Sequence, residues 1–241
     1  MNTAAIIVAA GAGKRMRSSV RKQYIDILGY PVLYYTVKAF EESSVDKIVI
    51  VTGADETELV KKEIVEKYGF AKVVCVCEGG RERFDSVYAG IRQAALSGAG
   101  HVLIHDGVRM FVTPGLIDRC IESVRENGAC VAAVPVKDTL KECTPCDESG
   151  DTVCVAKTLD RSTIWQVQTP QCFETSLIKD AFEKMYAGSE PERSRITDDA
   201  MVAEIFTDHK VTIVEGDYRN IKITTPEDLE LARFLVARNQ T

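Results

Sequence analysis

Between Ala9 and Tyr24 the chain reads AAGAGKRMRSSVRKQY, in which Gly11 and Gly13 are accompanied by five cations, Lys14, Arg15, Arg17, Arg21 and Lys22. Glycine lets the backbone approach a ligand closely, and cations fixed on such a loop attract anionic groups, above all a polyphosphate. The 241-residue chain has a net charge of −6, so this basic cluster is local and does not reflect overall composition. Spacing separates it from the better-known phosphate loops. No Gly-Lys-Ser/Thr closes a Walker A pattern, and Arg15 and Met16 stand where a dinucleotide loop reaches its third glycine.

Two further segments carry groups of the same kind. Gly79-Gly80-Arg81-Glu82-Arg83-Phe84-Asp85-Ser86-Val87 is a second glycine turn, and His105-Asp106-Gly107-Val108-Arg109 is a third polar junction. Asp106 has two readings: a carboxylate that holds a magnesium ion beside substrate phosphates, or a cap on a loop or helix. His101 and His105 lie four apart on a strand-like run, roughly 13 Å by strand rise, too far to share a metal ion. Cys143-Thr-Pro-Cys146 has CxxC spacing, but no second pair follows to complete a zinc site. The eight cysteines therefore read as small hydrophobes and thiols in a reducing cytosol.

The elements that must position these groups alternate. Short apolar runs at Ala4–Ala9, Lys47–Thr52, Lys72–Cys77, His101–His105 and Cys130–Val134 predict strands buried on both faces. Amphipathic stretches lie between them: Leu33, Val37 and Phe40 share one helical face, and Val60, Ile64 and Tyr68 another. Asp55 and Glu58 have capping-box spacing, and Thr113-Pro114 and Thr225-Pro226 each pair an N-cap residue with proline at the first helical position. The βαβ alternation predicts a mainly parallel α/β sheet, with the three polar segments at the edge where its strands end. From 137 to 160 the pattern breaks into a polar hairpin, Asp138–Cys143 and Thr152–Thr158, within what is otherwise one domain over 1–241. A lone two-stranded hairpin is marginal in water, so a second subunit is the expected partner for this arm.

Composition excludes some classes. Hydrophobic content of 45% and charged content of 27% suit a globular protein, and no apolar run approaches the roughly 20 residues a membrane span needs. The acidic balance argues against nucleic-acid binding. The N-terminus carries no export pattern, so a cytoplasmic location is expected.

Further on come TLDR at Thr158, WQVQTPQ at Trp165, TDDA at Thr197 and NIKITTPEDL at Asn220. With AAGAGKRM, KQY, GGRERFDSV, HDGVR and PVKDTLK they form an ordered set covering almost the whole chain, and that set resembles the 2-C-methyl-D-erythritol 4-phosphate cytidylyltransferase family of the non-mevalonate isoprenoid pathway. The resemblance implies a doubly wound, Rossmann-like nucleotidyltransferase whose hairpin arm makes a homodimer. It implies CTP held by Ala9, Ala10, Gly11, Ala12, Gly13, Gly80, Arg81, Ser86, Asp106 and Gly107, with Mg2+ or another divalent cation at Asp106. Arg15 and Lys22 match residues that stabilise the pentacoordinate α-phosphorus; their bland alternative is a solvated basic loop. The polyol phosphate would meet Arg109, Thr139, Arg161, Thr169, Thr197, Lys222 and Thr224. Arg161 would reach the other protomer's site and act with Lys222 on the attacking phosphate. A surface ion pair with Asp160 is the alternative for Arg161.

The chain departs from the family pattern at three places. Arg21 replaces a proline before KQY, Met110 replaces a proline after Arg109, and Gly107-Val108 replaces two alanines; the first two would loosen their loops. A ribitol 5-phosphate cytidylyltransferase is the nearest rival, since it shares QTPQ and KITTP, whereas PVKDTLK and TLDRSTIWQVQTPQ favour the methylerythritol enzymes. A non-catalytic nucleotide-binding module would leave Arg161 and Lys222 unexplained, and a dinucleotide oxidoreductase is disfavoured by the missing third glycine.

Overall fold

The computed structural model describes residues 1–11, 13, 16, 20–146 and 152–239. Strand β1 (Thr3–Ala9) is buried along its length, and a small hairpin of β2 (Asp26–Ile27) and β3 (Tyr30–Pro31) leads into α1 (Val32–Glu41). Next come β4 (Lys47–Thr52), α2 (Thr57–Val60) with a π-helical continuation at Lys61–Glu66, β5 (Val73–Glu78) and α3 (Arg83–Leu96). They are followed by β6 (His101–Asp106), α4 (Pro114–Asn127), β7 (Ala129–Pro135) and the pair β8 (Lys141–Pro145) and β9 (Val153–Thr158). The remaining elements are β10 (Trp165–Glu174), α5 (Thr175–Ala187), α6 (Glu190–Arg193), α7 (Asp199–Phe206), β11 (Thr212–Glu215) and α8 (Pro226–Asn239).

The main sheet has the order β11-β7-β10-β6-β1-β4-β5. β1 runs parallel to β4 and β6, and β4 parallel to β5, so the expected mainly parallel sheet forms. Val8 pairs with Asp106 and Ala9 with Thr52, which brings the carboxyl ends of β1, β6 and β4 to one edge. Alternation within the strands divides the core in two. Ala5, Ile7, Ile48, Ile50 and Leu103 face Leu33, Phe40, Ile117 and Val124 of α1 and α4. Ala4, Ile6, Val49, Val51 and Ile104 face Val87, Ile91, Phe182 and Val202 of α3, α5 and α7. Helices cover both faces, which is why these strands read as continuous apolar runs instead of alternating ones.

β10 is the antiparallel member, inserted between β6 and β7. It carries Pro170 inside a central strand, where a residue without an N–H cannot complete the ladder. The register accordingly shifts between Val167 and Gln171, and the bulge turns Gln168 and Thr169 toward the loop that precedes α8.

Caps follow the sequence in part. Thr113 Oγ1 accepts from Leu116 N at 3.3 Å, with Pro114 opening α4. The Asp55/Glu58 capping box does not form. Asp55 takes a left-handed φ of 63°, Glu56 becomes the residue before α2, and Glu58 pairs with Lys61 instead. At α3 a reciprocal box does form between Glu82 and Asp85.

β8 and β9, the segment expected to form an arm, pair antiparallel, and every residue in them is exposed. Cys146 and Cys154 face each other across this strand pair and are joined as a disulfide, with Cα atoms 5.5 Å apart. This corrects the reading of all eight cysteines as thiols, and it dissolves the CxxC unit, because Cys146 bonds across the hairpin and not to Cys143. The turn at 147–151 lies outside the described residues. Among the described residues no helix is long and apolar enough to cross a membrane.

Candidate active site

At the carboxyl edge of β1 and β6 lies a cleft of about 240 Å³, lined by residues from five separate segments of the chain. Ala9, Ala10 and Gly11 form one wall, and Gly80, Arg81, Arg83 and Ser86 another. Lys22, Asp106 and Lys222 complete it. Ala12 and Arg15 lie outside the described residues.

Local chemistry explains the glycine turns. Gly13 sits at φ +64°, a conformation that side chains with a Cβ rarely adopt, and its carbonyl accepts from Met16 N at 2.9 Å. Gly80 N donates to Ser86 Oγ at 3.2 Å, and a side chain at Gly80 would strike Asp85. Ser86 is buried and its hydroxyl donates to Glu82 O, so it fastens the turn to the first turn of α3. Arg81, in contrast, is almost fully solvated at the rim.

Lys22 belongs to a short 3-10 turn at Lys22–Tyr24. Its neighbour Gln23 is buried and donates from Nε2 to Ala9 O at 2.6 Å, which ties the turn to the end of β1. Lys22 Nζ donates to Ile223 O at 3.0 Å, across 201 residues of sequence. Lys222 is placed by what surrounds it. Asn220, wholly buried, donates to Thr169 O at 2.8 Å on the β10 bulge, and Ile223 N donates to Val108 O at 3.1 Å. The Ile223 side chain is buried with Val108, Met110 and Leu229, so Lys222 projects between two anchors. Met110, which stands in place of a proline, is packed into a hydrophobic cluster, and Arg109 N beside it donates to Asp106 O at 3.0 Å.

The charged floor of the cleft is a five-membered network. Lys222 Nζ is 2.8 Å from Asp106 Oδ2, Arg109 Nε 3.5 Å, and Arg83 Nε 3.4 Å from Oδ1. The Arg83 guanidinium also grips Asp199 in bidentate fashion, at 2.9 and 2.8 Å. Three cations against two carboxylates leave one positive charge before Lys22 is added, which favours an anionic ligand. Burial alone would push the Asp106 carboxyl upward, but Arg83, Lys222 and Arg109 overcome it and hold the group well below the usual carboxylate range. Both carboxylate oxygens therefore face cations. Among the described residues no three His, Cys, Asp or Glu side chains are grouped to hold a metal ion. The Asp106 carboxylate, expected to hold a divalent cation beside substrate phosphates, is engaged here by Arg83, Arg109 and Lys222.

Beneath the network Thr169 Oγ1 accepts from Asp106 N at 3.2 Å and donates to His105 Nδ1 at 2.9 Å. His105 Nε2 must then donate to Arg109 O, 3.2 Å away, which fixes the neutral tautomer. Burial, only partly offset by the Asp106 carboxylate, pushes the His105 imidazole down to about 4. The unfolded chain binds this proton near pH 6.5 and the folded chain only near 4, so stability falls as pH drops through that window. The unfolding free energy of the wild type relative to His105→Gln should shrink by about 2 kcal/mol between pH 7 and 4.5, as urea titrations would show. A pH-independent difference would refute the assignment.

Other anticipated site residues stand elsewhere. Arg109 is turned inward, with NH1 donating to Asn220 O at 2.7 Å. Gly107 donates from N to Val8 O and accepts from Thr36 at its carbonyl, knitting β6 to β1 and α1. The Thr224 hydroxyl and N–H both bond Asp228, which also receives Thr225 N and so secures the start of α8. Thr139 and Thr197 are exposed and do not line the cleft. Arg161 is also outside it, donating to Lys137 O at 3.0 Å, while Asp160 accepts from Ser162. The sequence reading gave no role to Arg83, Gln23, Asn220 or Asp199. Each lies within a quoted motif; the side-chain partners of Arg83, Asn220 and Asp199 are 23 or more positions away, whereas Gln23 bonds Ala9, 14 positions back in the same stretch.

An open α/β sheet with a cation-lined, glycine-walled cleft at the carboxyl ends of its strands defines a nucleotide-binding protein of the doubly wound class. Comparison with known proteins is specific. The family model for 2-C-methyl-D-erythritol 4-phosphate cytidylyltransferase (IspD) matches residues 3–238. The protein of that name from Lachnospira eligens is 48% identical over 233 residues, 96% of this chain and 97% of its own. The crystal structure of 4-diphosphocytidyl-2C-methyl-D-erythritol synthase from Anaerococcus prevotii matches with a TM-score of 0.82 at 34% identity, covering 98% of this chain and 96% of that one. That of 2-C-methyl-D-erythritol 4-phosphate cytidylyltransferase from Thermus thermophilus gives 0.75 at 28% identity, covering 98% and 100%. This chain belongs to the 2-C-methyl-D-erythritol 4-phosphate cytidylyltransferase family.

Proposed function

We propose that the protein transfers CMP from CTP to 2-C-methyl-D-erythritol 4-phosphate and releases pyrophosphate, a step in isoprenoid precursor synthesis. The observation that carries the reading is the meeting of Lys22 and Lys222 on one glycine-walled cleft, in a chain of this family. An oxygen of the sugar phosphate forms a bond to the α-phosphorus of CTP as the α–β bridging bond breaks, and the bridging oxygen leaves with pyrophosphate. A phosphate monoester is largely dianionic at neutral pH, so attack needs no general base. His105, bonded at both ring nitrogens, is not one. The protein's task is to place two anions together and to neutralise charge that develops at the α-phosphorus.

Lys22 would meet the α-phosphate, with Arg15 assigned beside it from the motif. The turn of Gly80 and Ser86 and the wall of Ala9 to Gly11 would hold the nucleotide. Lys222 would exchange part of its pairing with Asp106 for the incoming sugar phosphate. Nucleotidyl transfer from a triphosphate generally uses a divalent cation. Here such an ion, Mg2+ for example, would be held by phosphate oxygens, since Asp106 is engaged by three cations. Arg161 and Thr139 flank the arm, and exposure of every residue of β8 and β9, Val153 and Val155 included, supports a homodimer in which the arm carries them to a second copy. The domain count and the cytoplasmic location stay as read from the sequence.

Pyrophosphate release measured with CTP and each of two acceptors tests this. Methylerythritol phosphate should be turned over at least tenfold faster than ribitol 5-phosphate. Preference for ribitol phosphate would assign the other acceptor, and CTP binding without turnover of either would reduce the protein to a binding module.

A further inference from the structure

The carboxylate of Glu56, on the turn between β4 and α2, gathers four donors although it touches no part of the cleft lining. Arg21 Nε lies 3.0 Å from Oε1 and Arg21 NH1 3.0 Å from Oε2. Tyr24 OH donates to the same Oε2 at 3.0 Å, and Gly53 N at 3.2 Å. The Glu56 side chain is only 13% exposed, and a side chain at Gly53 would collide with the Arg21 guanidinium. Arg21 and Tyr24 are the residues that bracket Lys22 and Gln23. The bidentate pair is the strong, directional kind of ion pair, unlike an exposed lysine contact.

We infer that the Arg21–Glu56 pair is a clamp that positions Lys22, doing by charge what a proline at 21 would do by its ring. Arg21 has φ −62° and ψ 139°, the dihedrals a proline holds without strain. One side of the turn is thus fixed to the β4–α2 junction by Glu56, the opposite side to β1 by Gln23, and the lysine tip to Ile223. Losing the Glu56 attachment leaves Gln23 in place, so the turn persists while its angle is released. Lys22 then loses the aim that a reaction depending on fixed charge requires. The inference rests on the role given to Lys22 above, and it makes Arg21 and Glu56 positioning residues, since neither reaches the cleft.

Steady-state turnover of CTP and methylerythritol phosphate tests it in Arg21→Ala, Glu56→Ala, Arg21→Pro and Lys22→Ala, all assayed well below their melting transitions. Arg21→Ala and Glu56→Ala should each lower kcat roughly tenfold with KM for CTP changed less than about twofold, and Arg21→Pro should return kcat to within about threefold of wild type. Because the clamp acts through Lys22, adding Glu56→Ala to Lys22→Ala should cost no further activity. Wild-type kcat in both single alanine variants, or an Arg21→Pro enzyme as slow as Arg21→Ala, would overturn the clamp. If Lys22→Ala itself turns over normally, the assignment of Lys22 fails; if it is slow while Arg21→Ala is fast, the clamp alone fails.

Discussion

Lys22→Ala should lower kcat by about 10²–10³-fold while leaving the melting temperature within a few degrees of wild type. Lys22 Nζ donates to Ile223 O, and the backbone of its turn is held apart from the ammonium, by Gln23 and by Arg21 and Tyr24 on Glu56. Stability therefore has little to lose. Catalysis has much to lose, because the proposed reaction moves no proton and rests on cations placed where oxygen charge develops. Lys22→Arg should recover only part of the rate, since a planar fork cannot occupy the position of a compact ammonium. Measuring kcat and KM separately decides the matter: an effect confined to KM for CTP would make Lys22 a ground-state binding residue.

Arg83→Ala should have the largest effect on stability, on the order of 3–5 kcal/mol, because it strands Asp199, a wholly enclosed carboxylate, without a counter-ion. For a chain of this size that corresponds to a melting point lower by on the order of 10 °C. Activity should fall with it. Asp106 would lose one of its three cations and draw Lys222 closer, which opposes the exchange of Lys222 toward substrate phosphate. The double variant Arg83→Met with Asp199→Leu should be less destabilised than the sum of the two singles, since removing both charges leaves no buried ion unpaired. Calorimetry on the wild type, Arg83→Ala, the two singles and the double variant checks this, and a shift below about 2 °C in Arg83→Ala would refute the network.

The sequence revealed the fold's frame more readily than its joints. β1, β4 and β6 stood out because burial on both faces removes polar residues from a strand, and their ends were legible to within a residue or so. β10 was harder to read, because Pro170 and the glutamines around it break the apolar pattern at the bulge that makes the strand useful. The cations Lys22 and Lys222 were legible from motif and loop type. Arg83 was not assigned a role, although it stood in plain view, because its partners Asp106 and Asp199 are 23 and 116 positions away. Asp106 illustrates the same limit. A lone acidic residue at a strand end suggests a metal ligand, and only the three-dimensional arrangement shows it encircled by three cations. Arg21 looked like a loosening substitution until Glu56, 35 residues on, appeared as its partner.

The central claim is that the sugar phosphate attacks the α-phosphorus of CTP. Methylerythritol 4-phosphate carrying 18O in its non-bridging phosphate oxygens tests it in one incubation with CTP, read by mass spectrometry and 31P NMR. All of the label should appear in the cytidine diphosphate product, with one labelled oxygen bridging the two phosphorus atoms, and the released pyrophosphate should be unlabelled. Label in pyrophosphate or in free phosphate, or a product lacking a labelled bridge, would contradict it.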